Sequence, residues 1–139
     1  IRFFKAADIV KLSDEDLNYL HPEWSEDTLE TFVEEYAPQL CVYTEGSDGL
    51  VGLTRLGVSV RVPAVLPGVL ADTVGAGDSL HGALLSEIER LNLIGDQMSR
   101  LDKGQLSEIL TFAAQAAGIN CTRDGCQPPT RQEITGIFG

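Results

Sequence analysis

Positive charge is scarce in this chain, and no part of the sequence concentrates it. Lys and Arg total 10 of the 139 residues against 21 Asp and Glu, so the formal net charge is −11 at pH 7. Nucleic-acid binding depends on Lys and Arg clustered on one surface, and the composition therefore argues against a nucleic-acid partner. An anionic ligand would have to be held by local N–H groups, a few cations or a metal ion, because the overall field repels it.

Long apolar runs are absent as well. No stretch approaches the ~20 apolar residues of a membrane-spanning helix, so we predict no membrane partner. Residues 1–5 lack the basic, apolar and small regions that make up a signal peptide. The first residue is Ile1 and not Met, and we expect the natural N-terminus to lie upstream.

Cysteine and histidine are too few and too far apart for a zinc site, whose ligands usually stand at short spacing. The chain has three cysteines and two histidines, namely Cys41, Cys121, Cys126, His21 and His81. An odd number of scattered cysteines is typical of reduced thiols, which indicates a cytoplasmic protein.

Apolar residues recur with strand and helix periods in alternation. Strands are predicted over 7–12, 40–44, 50–56 and 58–62, and the continuous apolar run at 40–44 is typical of a strand buried on both faces. Strands that alternate with helices predict an α/β layered fold with a largely parallel sheet flanked by helices. The length and the 43% apolar content suit a single domain over 1–139.

Helix starts are marked by capping residues. Ser13 and Ser25 are predicted N-caps of two helices in the first part of the chain. A long helix is predicted around the apolar residues of 106–117. Thr130, with Glu133 three residues later, predicts a capping box at the start of a short final helix.

The segment Asp72–Asp78, Asp-Thr-Val-Gly-Ala-Gly-Asp, is the most informative feature. A helical apolar stripe begins directly after it, which places Asp78 at or next to the first turn. There the free N–H groups of Ala76, Gly77 and Asp78 can point at an anion, and Gly75 and Gly77 let the backbone approach a phosphate. A carboxylate beside an anion pocket is costly unless it has a task, such as taking a proton from an attacking hydroxyl. The segment therefore predicts phosphoryl transfer.

Other phosphate-binding motifs do not occur. The sequence has no Gly-Lys-Ser/Thr, which excludes a P-loop. The spacing of Gly75, Gly77 and Gly82 does not match a dinucleotide fingerprint. Gly46–Gly49, after the strand at 40–44, is by its local pattern an ordinary turn.

Together these segments resemble the C-terminal half of a PfkB (ribokinase-like) carbohydrate kinase. Asp72–Asp78 matches the second signature of that family in full. Residues 7–11 precede an acidic helix start, 44–49 resemble the family's Thr-x-Gly-x-x-Gly nucleotide loop, and 112–117 with 121–126 resemble its last helix and the following loop. The resemblance covers essentially the whole chain and is closest to bacterial fructokinases.

The resemblance assigns roles to the central turn. It implies that Asp78 is the general base and that the backbone amides of Gly75, Ala76 and Gly77 form an anion hole for the transferring phosphoryl group. The alternative for Asp78 is a helix N-cap, where Asp is common.

The resemblance also implies a nucleotide site. Thr44, Gly46 and Gly49 would hold the nucleotide, and Ala114 would line the adenine pocket with apolar contact alone. His81, one turn after Asp78, is expected to serve in helix packing or beside the substrate.

Two cation sites follow from the resemblance. Ser13 and Asp16 stand where the family usually has Asn-x-x-Glu, which is associated with Mg²⁺ and phosphate, but they also form a plausible capping pair. Asp72 and Val74, with the loop 123–126, match an activating monovalent-cation site, for which K⁺ is the candidate. The alternative is an Asp that fixes a turn through its side chain.

The resemblance implies an ATP-dependent sugar kinase, most closely a fructokinase, with a small-molecule sugar as substrate. The N-terminal half and lid of the family are missing, so the chain carries the nucleotide side and the base, and we expect little or no activity from it alone. Ribose, a ketodeoxy sugar acid, a nucleoside or a sugar phosphate are alternative acceptors. A catalytically incomplete nucleotide-binding fragment is the alternative of a different class, and a homodimer is the candidate assembly of the full-length protein.

Overall fold

The structure, a computed structural model, describes residues 2–20, 22–23 and 28–139. His21 and the predicted N-cap Ser25 lie outside the described residues. The strands are β1 (Ile9–Ser13), β2 (Leu40–Thr44), β3 (Leu50–Thr54) and β4 (Ser59–Val62). The α-helices are α1 (Asp14–Leu20), α2 (Thr28–Tyr36), α3 (Ala76–Arg90), α4 (Lys103–Cys121) and α5 (Arg131–Phe138). In the described part of the chain, no helix is both long and apolar enough to cross a membrane.

The four strands form one sheet in the order β1-β2-β3-β4. The predicted α/β layered fold is confirmed, with one correction to the predicted largely parallel sheet. β1 and β2 are parallel, whereas β2–β3 and β3–β4 are antiparallel. Residues 45–49 and 55–58 are too short for a crossover, so each joins neighbouring strands as a hairpin. The connection from β1 to β2 contains two helices and is long enough for parallel pairing.

Apolar clusters fill the spaces on both faces of the sheet. Leu40 and Val42 of β2 pack in the cluster that holds α3 and α4, and Cys41 packs in the opposite cluster with α1 and α2. All three residues are 0% exposed, which confirms the prediction of a strand buried on both faces. The alternation of side chains along a strand divides them between the two clusters.

Capping residues set the helix starts. Thr130 and Glu133 form the predicted capping box at α5, and Asp102 and Gln105 form a second one at α4. α3 begins at Ala76, so the prediction that its first turn contains Asp78 is confirmed.

An ion pair with a buried carboxylate ties α3 to α5. Glu87 on α3 is 5% exposed and pairs with both Arg90 and Arg131. Burial acts to raise the pKa of Glu87, but hydrogen bonds from the two arginines outweigh it and hold that pKa below its ordinary value. The Arg131 guanidinium also lies 4.4 Å over the ring centroid of Phe112 on α4. These contacts link α3, α4 and α5 to one another.

Candidate active site

Gly75 caps α3 with a left-handed backbone, at φ +75°. A Cβ added there would lie 2.1 Å from the Sγ of Cys126 and 2.6 Å from its Cβ, which is far inside van der Waals contact. Two features therefore require glycine at this position, namely the positive φ and the close approach of the loop that carries Cys126.

The backbone N–H groups at the start of α3 are only partly free. Ala76 donates its N–H to the carbonyl of Thr73 at 3.2 Å, so the prediction that this amide is free is wrong, because the turn before the helix closes on itself. The N–H groups of Gly75, Gly77 and Asp78 have no hydrogen-bond partner within the described ranges. Unpartnered N–H groups at a helix start attract an anion, supported by the helix dipole.

A cavity of about 450 Å³ opens at the same turn. This volume is in the range of small-molecule sites. Asp78 and Gly75 are not among its lining residues, although each lies within two residues of a residue that is. The four predicted nucleotide residues and two of the predicted anion hole line it together, namely Thr44, Gly46, Gly49, Ala114, Ala76 and Gly77.

The side chain of Asp78 is exposed on the first turn of α3. No hydrogen bond or ion pair holds its carboxylate in the part of the chain that the structure describes. A carboxylate at this end of a helix is stabilised by the dipole. It is therefore able to meet a substrate that arrives from solution.

Gly46 and Gly49, in the turn after β2, occupy positions that favour glycine for different structural reasons. Gly49 has φ +103°, and an added Cβ would lie 2.3 Å from the carbonyl oxygen of Val62, so a side chain there would push β4 away. Gly46 has φ +54°, and an added Cβ would meet nothing within 4 Å. The backbone at Gly46 therefore faces open space, where a ligand can approach it.

One wall of the cavity is formed by the strap, which we define as residues 63–72 and which has no helix or strand. The strap lies directly on α4, since a Cβ added to Gly118 would be 2.0 Å from the carbonyl oxygen of Val65. Two strap N–H groups also donate to the carbonyl of Cys121, at 2.8 and 3.3 Å. The sequence contains no periodic pattern in this segment, which is why its role in the cavity was not predicted.

We expect Gly118→Ala to weaken nucleotide binding. Ala normally stabilises a helix by about 1 kcal/mol relative to Gly, but here the new methyl group must displace the strap from α4. Titration of ADP by calorimetry should show affinity reduced roughly tenfold, or about 1.4 kcal/mol. Gly136→Ala on α5 is the matched control, because a Cβ there meets nothing within 4 Å. Unchanged ADP affinity in Gly118→Ala would contradict the prediction that this cavity binds the nucleotide.

Asp72 fixes the turn that precedes α3. Its carboxylate oxygens accept the N–H groups of Val74 and Gly125, each at 3.0 Å, and these bonds, that of Val74 first, lower the pKa of Asp72. The buried Asn120 joins the same turn to the following loop, because its Nδ2 donates to the Val74 carbonyl at 2.8 Å and its Oδ1 accepts the N–H of Gln127 at 2.9 Å. These hydrogen bonds show the alternative role of Asp72, in which its side chain fixes a turn. Since an ionised carboxylate oxygen accepts more than one bond, the monovalent-cation site at Asp72 and Val74 stays a prediction.

Ser13 and Asp16 form a reciprocal cap at α1. The Oδ2 of Asp16 accepts the Ser13 N–H at 2.9 Å and its hydroxyl at 2.8 Å, and Ser13 Oγ accepts the Asp16 N–H at 3.1 Å. The Ser13 bonds, the backbone one first, lower the pKa of Asp16, and Lys11 lowers it further. The described bonds use one carboxylate oxygen and do not involve Oδ1, and the Mg²⁺ site at Ser13 and Asp16 stays a prediction. Among the described residues, no group of three or more His, Cys, Asp or Glu side chains could hold a metal by itself.

Lys11 is a site residue that sequence reasoning missed. Its Nζ lies 3.1 Å from the position that a Cβ on Gly77 would occupy, so its ammonium is at the first turn of α3. The alternation of side chains between the two faces of β1 could have identified Lys11 from the sequence. Val10 and Leu12 face the α1 and α2 side, and Lys11 therefore shares the other, core-facing side with Ile9.

The family model for pfkB family carbohydrate kinase matches residues 2–133. The chain belongs to this family. The chain is also 35% identical over 106 residues to the fructokinase of Rhizobium leguminosarum bv. trifolii, an alignment that covers 76% of this chain and 32% of that relative. This pfkB family chain therefore spans about a third of the length of that curated relative.

Solved structures share the fold of this pfkB family chain. A double-mutant fructokinase from Vibrio cholerae O395, in fructose, ADP and potassium ion bound form, has a TM-score of 0.79 at 23% identity, over 99% of this chain and 43% of that one. A ribokinase from Giardia lamblia has a TM-score of 0.81 at 23% identity, over 99% of this chain and 45% of that one. The predicted ribokinase-like fold is confirmed, and the described elements are a part of it.

Proposed function

We propose that residues 1–139 are the C-terminal portion of a single kinase domain and carry the nucleotide site and base of an ATP-dependent sugar kinase. One observation carries this proposal. The cavity joins the predicted nucleotide loop at Gly46 to the amide-bearing first turn of α3, and the exposed Asp78 belongs to that turn. The cavity walls are largely apolar, which suits a nucleotide base, and the end at Gly77 suits a phosphate.

Asp78 acts as the general base in this proposal. Its carboxylate takes the proton of a sugar hydroxyl while the hydroxyl oxygen forms a bond to the γ-phosphorus and the bond from that phosphorus to ADP breaks. The N–H groups of Gly75 and Gly77 hold the transferring group. Because the turn is fixed by Asp72 and Asn120, these donors are in place before the reaction begins.

Two cations complete the proposed site. Asp16, with Ser13 as its cap, is the carboxylate that would hold Mg²⁺ through water, and the ion would supply positive charge to neutralise the ATP phosphates. A single ionised carboxylate is enough, because Mg²⁺ bound to phosphates keeps several waters. K⁺ at Asp72 and Val74 is supported by the potassium-bound Vibrio cholerae fructokinase, which shares this fold.

Fructose is the proposed acceptor, on the strength of the identity to a curated fructokinase. The ribokinase from Giardia lamblia matches the fold equally well, so ribose is the second candidate, followed by a ketodeoxy sugar acid, a nucleoside and a sugar phosphate. A homodimer and a cytoplasmic location stay predictions.

An acceptor screen tests the function. The longest natural protein that contains this chain is incubated with ATP, Mg²⁺ and each candidate acceptor, and ADP release and the phosphorylated product are measured. We expect fructose to give the highest kcat/KM, whereas a higher value for another acceptor would replace fructose within the same reaction class.

The 139-residue chain is assayed in parallel by ADP titration. We expect it to bind ADP and to phosphorylate little or nothing. If the longer protein also binds ADP but phosphorylates no acceptor, the alternative of a catalytically incomplete nucleotide-binding fragment would be favoured.

A further inference from the structure

Lys11 occupies a position where a lysine is unusual. It lies in the middle of β1 on the side that faces α3 and α4, and it is half-buried. Its neighbours along the strand, Val10 and Leu12, are 5% and 4% exposed on the opposite side. Partial burial of an ammonium group has a free-energy cost unless another group compensates its charge.

The described part of the chain supplies no direct partner for this charge. Within the described ranges Lys11 has no salt bridge and no hydrogen bond from its ammonium group. Its electrostatic influence reaches Asp16, whose pKa it lowers as the smallest of four contributions. Asp16 is itself held by two hydrogen bonds from Ser13, so it is already occupied as a cap.

Instead, the ammonium group lies against a second source of positive potential. Lys11 Nζ is 3.1 Å from the position of a Cβ on Gly77, and the first turn of a helix carries the equivalent of roughly half a positive charge. Two positive groups at this separation repel each other when the site is empty. An anion between them would be attracted by both, and the N–H of Gly77, which has no partner among the described residues, belongs to the same turn.

We propose that Lys11 is a catalytic residue, whose ammonium group contacts the phosphoryl group in transfer from the side opposite to the α3 amides. This inference rests on the proposed kinase function. As the bond between the γ-phosphorus and the oxygen of ADP breaks, its electron pair stays on ADP, and the hydroxyl proton goes to Asp78. Lys11 stays protonated throughout and stabilises charge on the transferring oxygens.

Lys11→Met tests the proposal, because Met keeps the apolar stem and removes the charge. We expect kcat to fall by about 100-fold, the effect of losing one preorganised donor. ADP lacks the γ-phosphoryl group, so its affinity should change less than twofold, while a non-hydrolysable ATP analogue should bind at least fivefold more weakly. Lys11→Arg should restore part of kcat, and Lys103→Met, on the exposed start of α4, should match the unmodified protein.

Each outcome bears on one proposal. Unchanged kcat and analogue affinity in Lys11→Met would overturn the role of Lys11, while sugar phosphorylation by the unmodified protein would leave the kinase function intact. If the unmodified protein phosphorylates no acceptor, the kinase function fails. The difference between the losses of affinity for ADP and for the ATP analogue in Lys11→Met still decides whether Lys11 contacts the terminal phosphate. Equal weakening of both nucleotides, with a lower unfolding temperature, would show a structural role and overturn the proposal.

Discussion

Asp78→Asn should lower kcat for sugar phosphorylation by about 10²- to 10⁴-fold, the usual contribution of a general base. The amide has nearly the shape of the carboxylate but cannot accept the hydroxyl proton. ADP affinity should stay within about twofold of the original, because Asp78 does not line the nucleotide cavity. Steady-state kinetics of the longest natural protein containing the chain, with ADP titration by calorimetry, measure both quantities.

Glu89→Gln is the matched control, since Glu89 is an exposed carboxylate on the same helix. It should leave kcat and ADP affinity unchanged. Equal losses of rate and binding in Asp78→Asn, together with a lower unfolding temperature, would instead identify Asp78 as a structural cap of α3. Such a result would remove the base from the proposed mechanism.

Gly75→Ala should disable the site more broadly. The new Cβ would lie 2.1 Å from the Sγ of Cys126, and a non-glycine residue at positive φ adds about 1–3 kcal/mol of strain. The turn before α3, the loop that carries Cys126 and the direction of the backbone N–H groups must all change. We expect a lower free energy of unfolding and a loss of kcat of at least the size expected for Asp78→Asn, measured by denaturant unfolding and kinetics.

A second substitution separates the backbone strain at Gly75→Ala from the steric clash with Cys126. Cys126→Gly removes the two closest atoms, so Gly75→Ala with Cys126→Gly should recover part of the stability lost by Gly75→Ala alone. Gly82→Ala on α3 serves as control, because a Cβ there meets nothing within 4 Å, and it should stabilise the helix by about 1 kcal/mol. A stable and fully active Gly75→Ala protein would show that this turn tolerates rearrangement and does not form an anion hole.

Local patterns predicted the elements whose cause is local. The continuous apolar run gave β2 its bounds, Leu40–Thr44, and the spacing of Thr130 and Glu133 gave the cap of α5. The start of α3 followed from the apolar stripe after Asp78. In each case the residues that make the interaction are neighbours in sequence.

Features that depend on the path of the backbone or on distant residues could not be predicted. The amide of Ala76 looked free because the sequence does not show that Thr73 turns its carbonyl toward it. The strap has no period, and its position depends on a backbone contact with Gly118, more than 40 residues later. Lys11 could have been found from the alternation of β1, but its nearness to Gly77 needed the packing of α3 on the sheet.

Asn120 has a consequence for the energetics of ligand binding. Its side chain is 0% exposed and is bonded at once to the turn before α3 and to the loop after α4. Flexible glycine-rich segments normally lose conformational entropy when they close on a ligand, and that loss weakens affinity. Here folding has already immobilised the segment, so the free energy gained from the proposed phosphate contact would go almost entirely into affinity and little of it into ordering the chain.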